Sequence, residues 1–170
     1  MKIILHKKSV RNKLEKAEAL VKMQNWCAYQ ERSQFDVRKK LQTLKIPANQ
    51  IDDLIVMLIE DNFLNEERFA MAFAGGKFRI KHWGKQKIKN ELRKHKVSDY
   101  CINKALAALG DENYELELHR LIEKKLAQSK QSDRRKLYYS VMNYLFSKGY
   151  ESDKISKALN KILGEQNDES

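Results

Sequence analysis

One apolar spacing recurs three times in this chain and limits what the chain can fold into. The first copy is Val37, Leu41, Ile46, Ile51, Leu54, Ile55 and Leu58. The second is Ile88, Leu92, Val97, Ile102, Ala105, Leu106 and Leu109. The third is Val141, Leu145, Tyr150, Ile155, Ala158, Leu159 and Ile162. Each copy ends on the i, i+3, i+4, i+7 stripe of an amphipathic helix. Each also contains two steps of five, which a continuous helix does not make, because its faces repeat every three or four residues. The steps of five therefore mark breaks, and each copy reads as a helix, a short turn and a second helix. The turns fall at Leu44-Lys45-Ile46, His95-Lys96-Val97 and Lys148-Gly149-Tyr150. Gly149 suits the left-handed residue that ends many helices. Lys45 and Lys96 occupy the same place and would bear a conformational cost there, unless their turns differ.

Room for one more helix lies ahead of each copy, at residues 14–32, 65–79 and 114–129. Ser33-Gln34-Phe35-Asp36 reads as a capping box for the first middle helix, with Gly84 as its counterpart in the second copy. Asn65, Ser98 and Ser152 are expected to cap the helices that follow them, and Pro47 suits a helix start. The expectation is an all-α chain of three tandem three-helix repeats forming an elongated, curved helical array. Its divisions are an amino-terminal extension (1–16), repeats at 17–61, 62–110 and 111–164, and a tail (165–170).

The 170 residues carry 34 Lys and Arg against 23 Asp and Glu, a formal charge of +11. Residues 1–60 hold 12 basic and 7 acidic residues, residues 61–110 hold 11 and 5, and residues 111–170 hold 11 of each. The excess is densest from Lys77 to Lys96, where Lys77, Arg79, Lys81, Lys85, Lys87, Lys89, Arg93, Lys94 and Lys96 face a single acid, Glu91. Cations packed this closely repel one another unless a polyanion or an acidic partner answers them. Lys89 and Arg93 are expected to be exposed on the second middle helix. Trp83 sits inside the window and could stack on a base, although packing is the default role of an aromatic ring. Tyr138, Tyr139, Tyr144 and Phe146 cluster in the third copy, and core packing between units is the default reading for most such aromatics.

Nothing in the sequence assembles a reaction centre. The four histidines are scattered, and Cys27 and Cys101 form neither a C-x2-C pair nor a disulfide framework. No metal, cofactor or catalytic residue is expected. Asp52-Asp53 and Glu66-Glu67 lie near helix starts, where the dipole favours acids. Gly75-Gly76-Lys77 is read as a loop that ends a helix, since a phosphate-binding loop needs a different spacing after a strand. No run of about 18 apolar residues exists and the opening lacks signal-peptide features, so a cytoplasmic protein without a membrane span is expected.

A central block is formed by Phe63-Leu64-Asn65-Glu66-Glu67-Arg68-Phe69-Ala70, Phe73-Ala74, Arg79, and Gly84 through Ile88-Lys89-Asn90-Glu91-Leu92. These residues resemble the RecX family of RecA recombinase regulators. Arg32-Ser33 and Lys148-Gly149-Tyr150 resemble that family's first and third blocks. Glu66 stands where the family usually has Asp, and Lys96 where Gly is usual. The resemblance implies a non-enzymatic protein, monomeric, that binds the RecA filament on single-stranded DNA and inhibits its ATPase, strand exchange and growth. It implies weaker contact with double-stranded DNA. The alternative is a general DNA-binding helical module without recombinase specificity.

Overall fold

The computed structural model describes the backbone of residues 2–168 and the side chains of residues 15–164. Nine α-helices and no strand occur among the described residues. They are α1 (Lys2–Tyr29), α2 (Gln34–Thr43), α3 (Ala48–Glu60), α4 (Glu66–Lys81), α5 (Lys85–Lys94), α6 (Asp99–Ala107), α7 (Asp111–Gln128), α8 (Arg134–Lys148) and α9 (Ser152–Asp168). Three consecutive triplets each enclose a core. The first is built on Met23, Val37, Leu41, Leu54 and Leu58, the second on Phe69, Ala74, Ile88, Leu92 and Ile102, and the third on Tyr114, Leu118, Val141, Leu145 and Leu159. Of the 21 positions in the recurring spacing, 18 are buried, and Ile46, Leu106 and Ile162 are half-buried. The spacing thus specifies the wall of each core that lies on the second and third helices.

The first step of five in each copy is the span of a Schellman helix end. The Ile46 N–H donates to the Leu41 carbonyl (3.1 Å), Val97 to Leu92 (3.3 Å) and Tyr150 to Leu145 (3.2 Å). The preceding N–H groups of Lys45, Lys96 and Gly149 donate to Gln42, Arg93 and Phe146. This pair of bonds folds the apolar residue after the turn back onto the last apolar residue of the helix. It requires a left-handed residue between them, and Lys45 (φ 59°), Lys96 (φ 59°) and Gly149 (φ 90°) all adopt that conformation. The two lysines therefore accept a strain of about 1 kcal/mol each.

The second step of five spans the cap of the next helix. Ser98 caps α6 through the Cys101 N–H, and Asn65 caps α4 through the Arg68 N–H. Ser33 and Asp36 form the expected capping box at α2. Ser152 does not serve as a cap: it opens α9, and the position aligned with Ser98 is Glu151, whose carboxylate accepts from the Tyr114 hydroxyl at 2.6 Å. The Gly75-Gly76-Lys77 reading is also corrected, because all three lie inside α4. Gly75 is buried, and the Arg79 guanidinium one turn later lies across it, 2.9 Å from where a Cβ would stand. A helix carries both glycines here because the surrounding triplet supplies the packing that propensity does not.

The middle helices meet end to end. At the start of α5, the Gly84 N–H donates to the Lys148 carbonyl (2.9 Å) and the Gln86 N–H to the Gly149 carbonyl (3.1 Å), both at the end of α8. The Lys85 N–H between them donates to the Tyr114 hydroxyl at 3.0 Å. The same arrangement recurs one repeat earlier with side chains: His95, at the end of α5, places Nδ1 3.0 Å from Asp36 Oδ2 in the first turn of α2. The close backbone approach explains Gly84, where a Cβ would stand 2.3 Å from the Gly149 carbonyl.

Two substitutions separate these glycine roles. Gly84→Ala should cost on the order of 2 kcal/mol, because backbone must shift on both sides. Gly76→Ala meets nothing within 4 Å and should stabilise by about 0.5–1 kcal/mol. Thermal and urea melts of the two variants against wild type check both signs.

Candidate nucleic-acid interface

Charge sorts by position within the repeat. The three middle helices, α2, α5 and α8, hold twelve Lys or Arg residues and two acids, Asp36 and Glu91. The three last helices, α3, α6 and α9, hold four basic and seven acidic residues. Because α8 meets α5 and α5 meets α2, the cations fall on connected elements rather than scattered ones. Such an arrangement can neutralise successive phosphates.

The structure gives the nine residues of the basic window different surroundings. Lys85 lies in the joint between the second and third triplets, 2.7 Å from Asp111 and 4.8 Å above the Tyr114 ring. That ammonium holds the Asp111 carboxyl below the usual range. Lys87 donates to the Ser147 carbonyl at 3.1 Å. Arg93 is exposed as expected but pairs with Asp99 (3.0 Å), and Lys94 pairs with Glu91 (2.6 Å). Lys77 rests over the Phe73 and Trp83 rings. Arg79, Lys81, Lys89 and Lys96 have no side-chain acid partner among the described residues, and Lys89 is half-buried rather than exposed. Trp83 is half-buried against the second core, with the Lys77 and Lys87 ammonium groups 5.1 and 4.9 Å from its ring centre.

A groove of about 580 Å³ beside the window lies between α4, α6 and α7, with Met71, Phe78 and Leu109 in its wall and Arg79 and Arg120 at its edge. Within it, Glu117 contacts both Arg120 (2.7 Å) and His82 (2.7 Å). Burial pushes the Glu117 carboxyl up, but Arg120 and His82 together hold it below the usual range. The charge of Arg120 is thereby answered inside the groove, whereas that of Arg79 is not.

Residue-type reading missed the outward aromatics of α8. Tyr139 and Phe146 are not packing residues: they are 54% and 66% exposed. Their signal was present in the sequence as the register of α8. With Val141 and Leu145 buried, positions 139 and 146 lie on the opposite face. Among the described residues no helix is long and apolar enough to cross a membrane, and no group of three or more metal-ligating side chains forms.

The family description "RecX, second three-helix domain" matches residues 65–106, and "RecX, third three-helix domain" matches residues 114–159. Together they cover more than half of the chain and coincide with its second and third triplets. The chain belongs to the RecX family. Relatives called regulatory protein RecX include one from Clostridium beijerinckii, 28% identical over 134 residues covering 78% of this chain and 62% of the relative. Another, from Clostridioides difficile, is 27% identical over 140 residues, covering 82% and 65%. The chain thus spans a little under two thirds of these relatives. The crystal structure of RecX from Lactobacillus salivarius superposes with a TM-score of 0.78 at 22% identity, covering 86% of this chain and 96% of that one. That likeness establishes the fold. The relatives are regulatory proteins by name.

The joint behind this interface has a pH signature. Burial, then the hydrogen bond to Glu151, pushes the Tyr114 phenol well above its ordinary value near 10. Burial does the same for Tyr150, which stacks on Tyr114 with ring centres 5.1 Å apart. A raised value means that the neutral phenol's contribution is complete below pH 10 and is lost as the pH climbs past it. Tyr114→Phe should therefore remove one phenol from the part of an alkaline absorbance titration that coincides with loss of helical signal. It should also cost about 1 kcal/mol at neutral pH by stranding the Lys85 N–H.

Proposed function

We propose that this protein regulates a RecA-type recombinase by binding its filament on single-stranded DNA and lowering its activity, with the connected middle helices turned toward the nucleic acid. The observation that carries the reading is the sorting of twelve cations and two acids onto those helices in a member of a family of regulatory proteins. Arg79, Lys81, Lys89 and Lys96 are assigned to phosphate contact, since no acid among the described residues pairs with them. Lys77, Lys87, Arg93 and Lys94 shape the field around them, and Lys85 serves the joint. Trp83 is assigned to the core margin, where its ring supports Lys77 and Lys87 rather than a base. Inhibition follows from occupying the filament, with no reaction performed by this chain. The protein acts as a monomer in the cytoplasm and binds double-stranded DNA less tightly than the single strand.

A second reading, a general nucleic-acid-binding module, draws on the same charge and predicts a different dose dependence. Single-strand-dependent ATPase of the cognate recombinase should fall at protein levels well below those that coat bare single-stranded DNA, as read by anisotropy in parallel. Inhibition that begins only when the DNA is saturated would replace the filament reading with the module reading. Lys81→Glu combined with Lys89→Glu should weaken inhibition about tenfold and lower the slope of log affinity against log salt by about 1–2. A double variant that inhibits as well as wild type would remove these residues from the interface.

A further inference from the structure

Residues 111–170 are net neutral in sequence, yet the middle helix of the third triplet holds four cations, Arg134, Arg135, Lys136 and Lys148, and no acid in 15 residues. Its exposed face also carries two large rings. Tyr139 and Phe146 are seven residues apart, two helical turns, and so share one face about 10 Å apart. Arg135 precedes Tyr139 by one turn, and Asn143 lies between the rings; both are exposed. Tyr139 is held in a T-shaped contact with Tyr138, with ring centres 5.8 Å apart.

Two clefts lie at the ends of this stripe. One, of about 420 Å³, is bordered by Arg135, Tyr138 and Tyr139. The other, of about 670 Å³, places Phe146 beside Gln86, Lys87 and Asn90 of α5, with Glu151 and Asp153 also lining it. The aromatic face therefore runs onto the basic middle helix of the second triplet. A single exposed ring on a protein surface is ordinary. Two exposed rings in register on an acid-free basic helix, with a hydrogen-bonding amide between them, are not explained by packing.

We infer that the outer face of α8 is a base-stacking platform for single-stranded nucleic acid, with Tyr139 and Phe146 receiving bases and Arg135 holding the backbone. The charge selects the occupant: an acid-free cationic helix attracts a polyanion, and only an unpaired strand exposes flat apolar faces to the rings. A duplex presents its phosphates but not its base faces, so the platform also favours single strands over double. The inference deepens the filament reading by adding a DNA site on the third triplet. It does not depend on the recombinase, because it is read on bare DNA.

The test compares binding of the full chain to an oligothymidylate and to an abasic oligonucleotide of the same length, at several salt concentrations. Wild type should favour the thymidylate about tenfold or more. Tyr139→Ala with Phe146→Ala should abolish that preference while leaving the abasic affinity and the salt slope in place. The ring-preserving pair Tyr139→Phe with Phe146→Tyr should retain the preference. This contrast distinguishes stacking from a general loss of structure. A double alanine variant that keeps the preference, or loses equally on both ligands, would overturn the platform. So would one that binds both oligonucleotides as wild type does but inhibits the recombinase less, which would assign the face to a protein partner. Failure of the filament reading would instead appear as unaltered ATPase with the thymidylate preference intact.

Discussion

The joint between the second and third triplets rests on helix ends that satisfy each other. A helix begins with N–H groups that have no partner of its own and ends with carbonyls in the same position. Here the surplus at the start of α5 meets the surplus at the end of α8, with the Tyr114 hydroxyl filling the gap between them. The partial charges are also opposite in sign, positive at the start of α5 and negative at the end of α8. That attraction opposes the repulsion between two strongly basic helices, so cations can be gathered on connected elements without driving the triplets apart. The contact leaves no room for a side chain, which is why two glycines face each other there.

The joint between the first and second triplets solves the same problem differently. His95 and Asp36 place side chains where the later joint uses backbone, and the Arg68 guanidinium reaches Asn62 and Glu31 across the boundary. Asp36 serves two ends at once, closing the capping box of α2 with Ser33 and facing the end of α5. Phe69 and Phe73 pack their rings around His95, so the second core reaches the joint directly. One geometric requirement, that a middle helix start where the next one ends, is thus met by two chemistries.

Much of this architecture was legible in the sequence because it obeys periodicity. The recurring spacing located the middle and last helices, their turns and most of the buried wall; alignment with Gly149 singled out Lys45 and Lys96 but left their turn conformation open, and the structure shows it to be left-handed. Besides the outward aromatics of α8, three kinds of feature escaped. Gly75 and Gly76 looked like a break because propensity is local, whereas α4 is held by its triplet. Ser152 was expected to cap α9, but the aligned position is Glu151, and its role, accepting a hydrogen bond from the Tyr114 hydroxyl 37 residues away in the chain, is not a local one. The partners of Lys85, Lys94 and Arg93 were invisible because a charge count cannot say which acid each side chain reaches. The basic window was therefore found as a region, while its division into answered and unanswered cations needed coordinates.

The backbone character of the later joint also has a kinetic consequence. First-turn amides of a helix ordinarily exchange their protons with water fastest, since no carbonyl of their own helix shields them. In α5 the Gly84, Lys85 and Gln86 amides are shielded by groups from the third triplet. Their protons can leave only when the two triplets part. The exchange lifetimes of these three amides thus form a clock for the opening of the array, separate from the unfolding of either core.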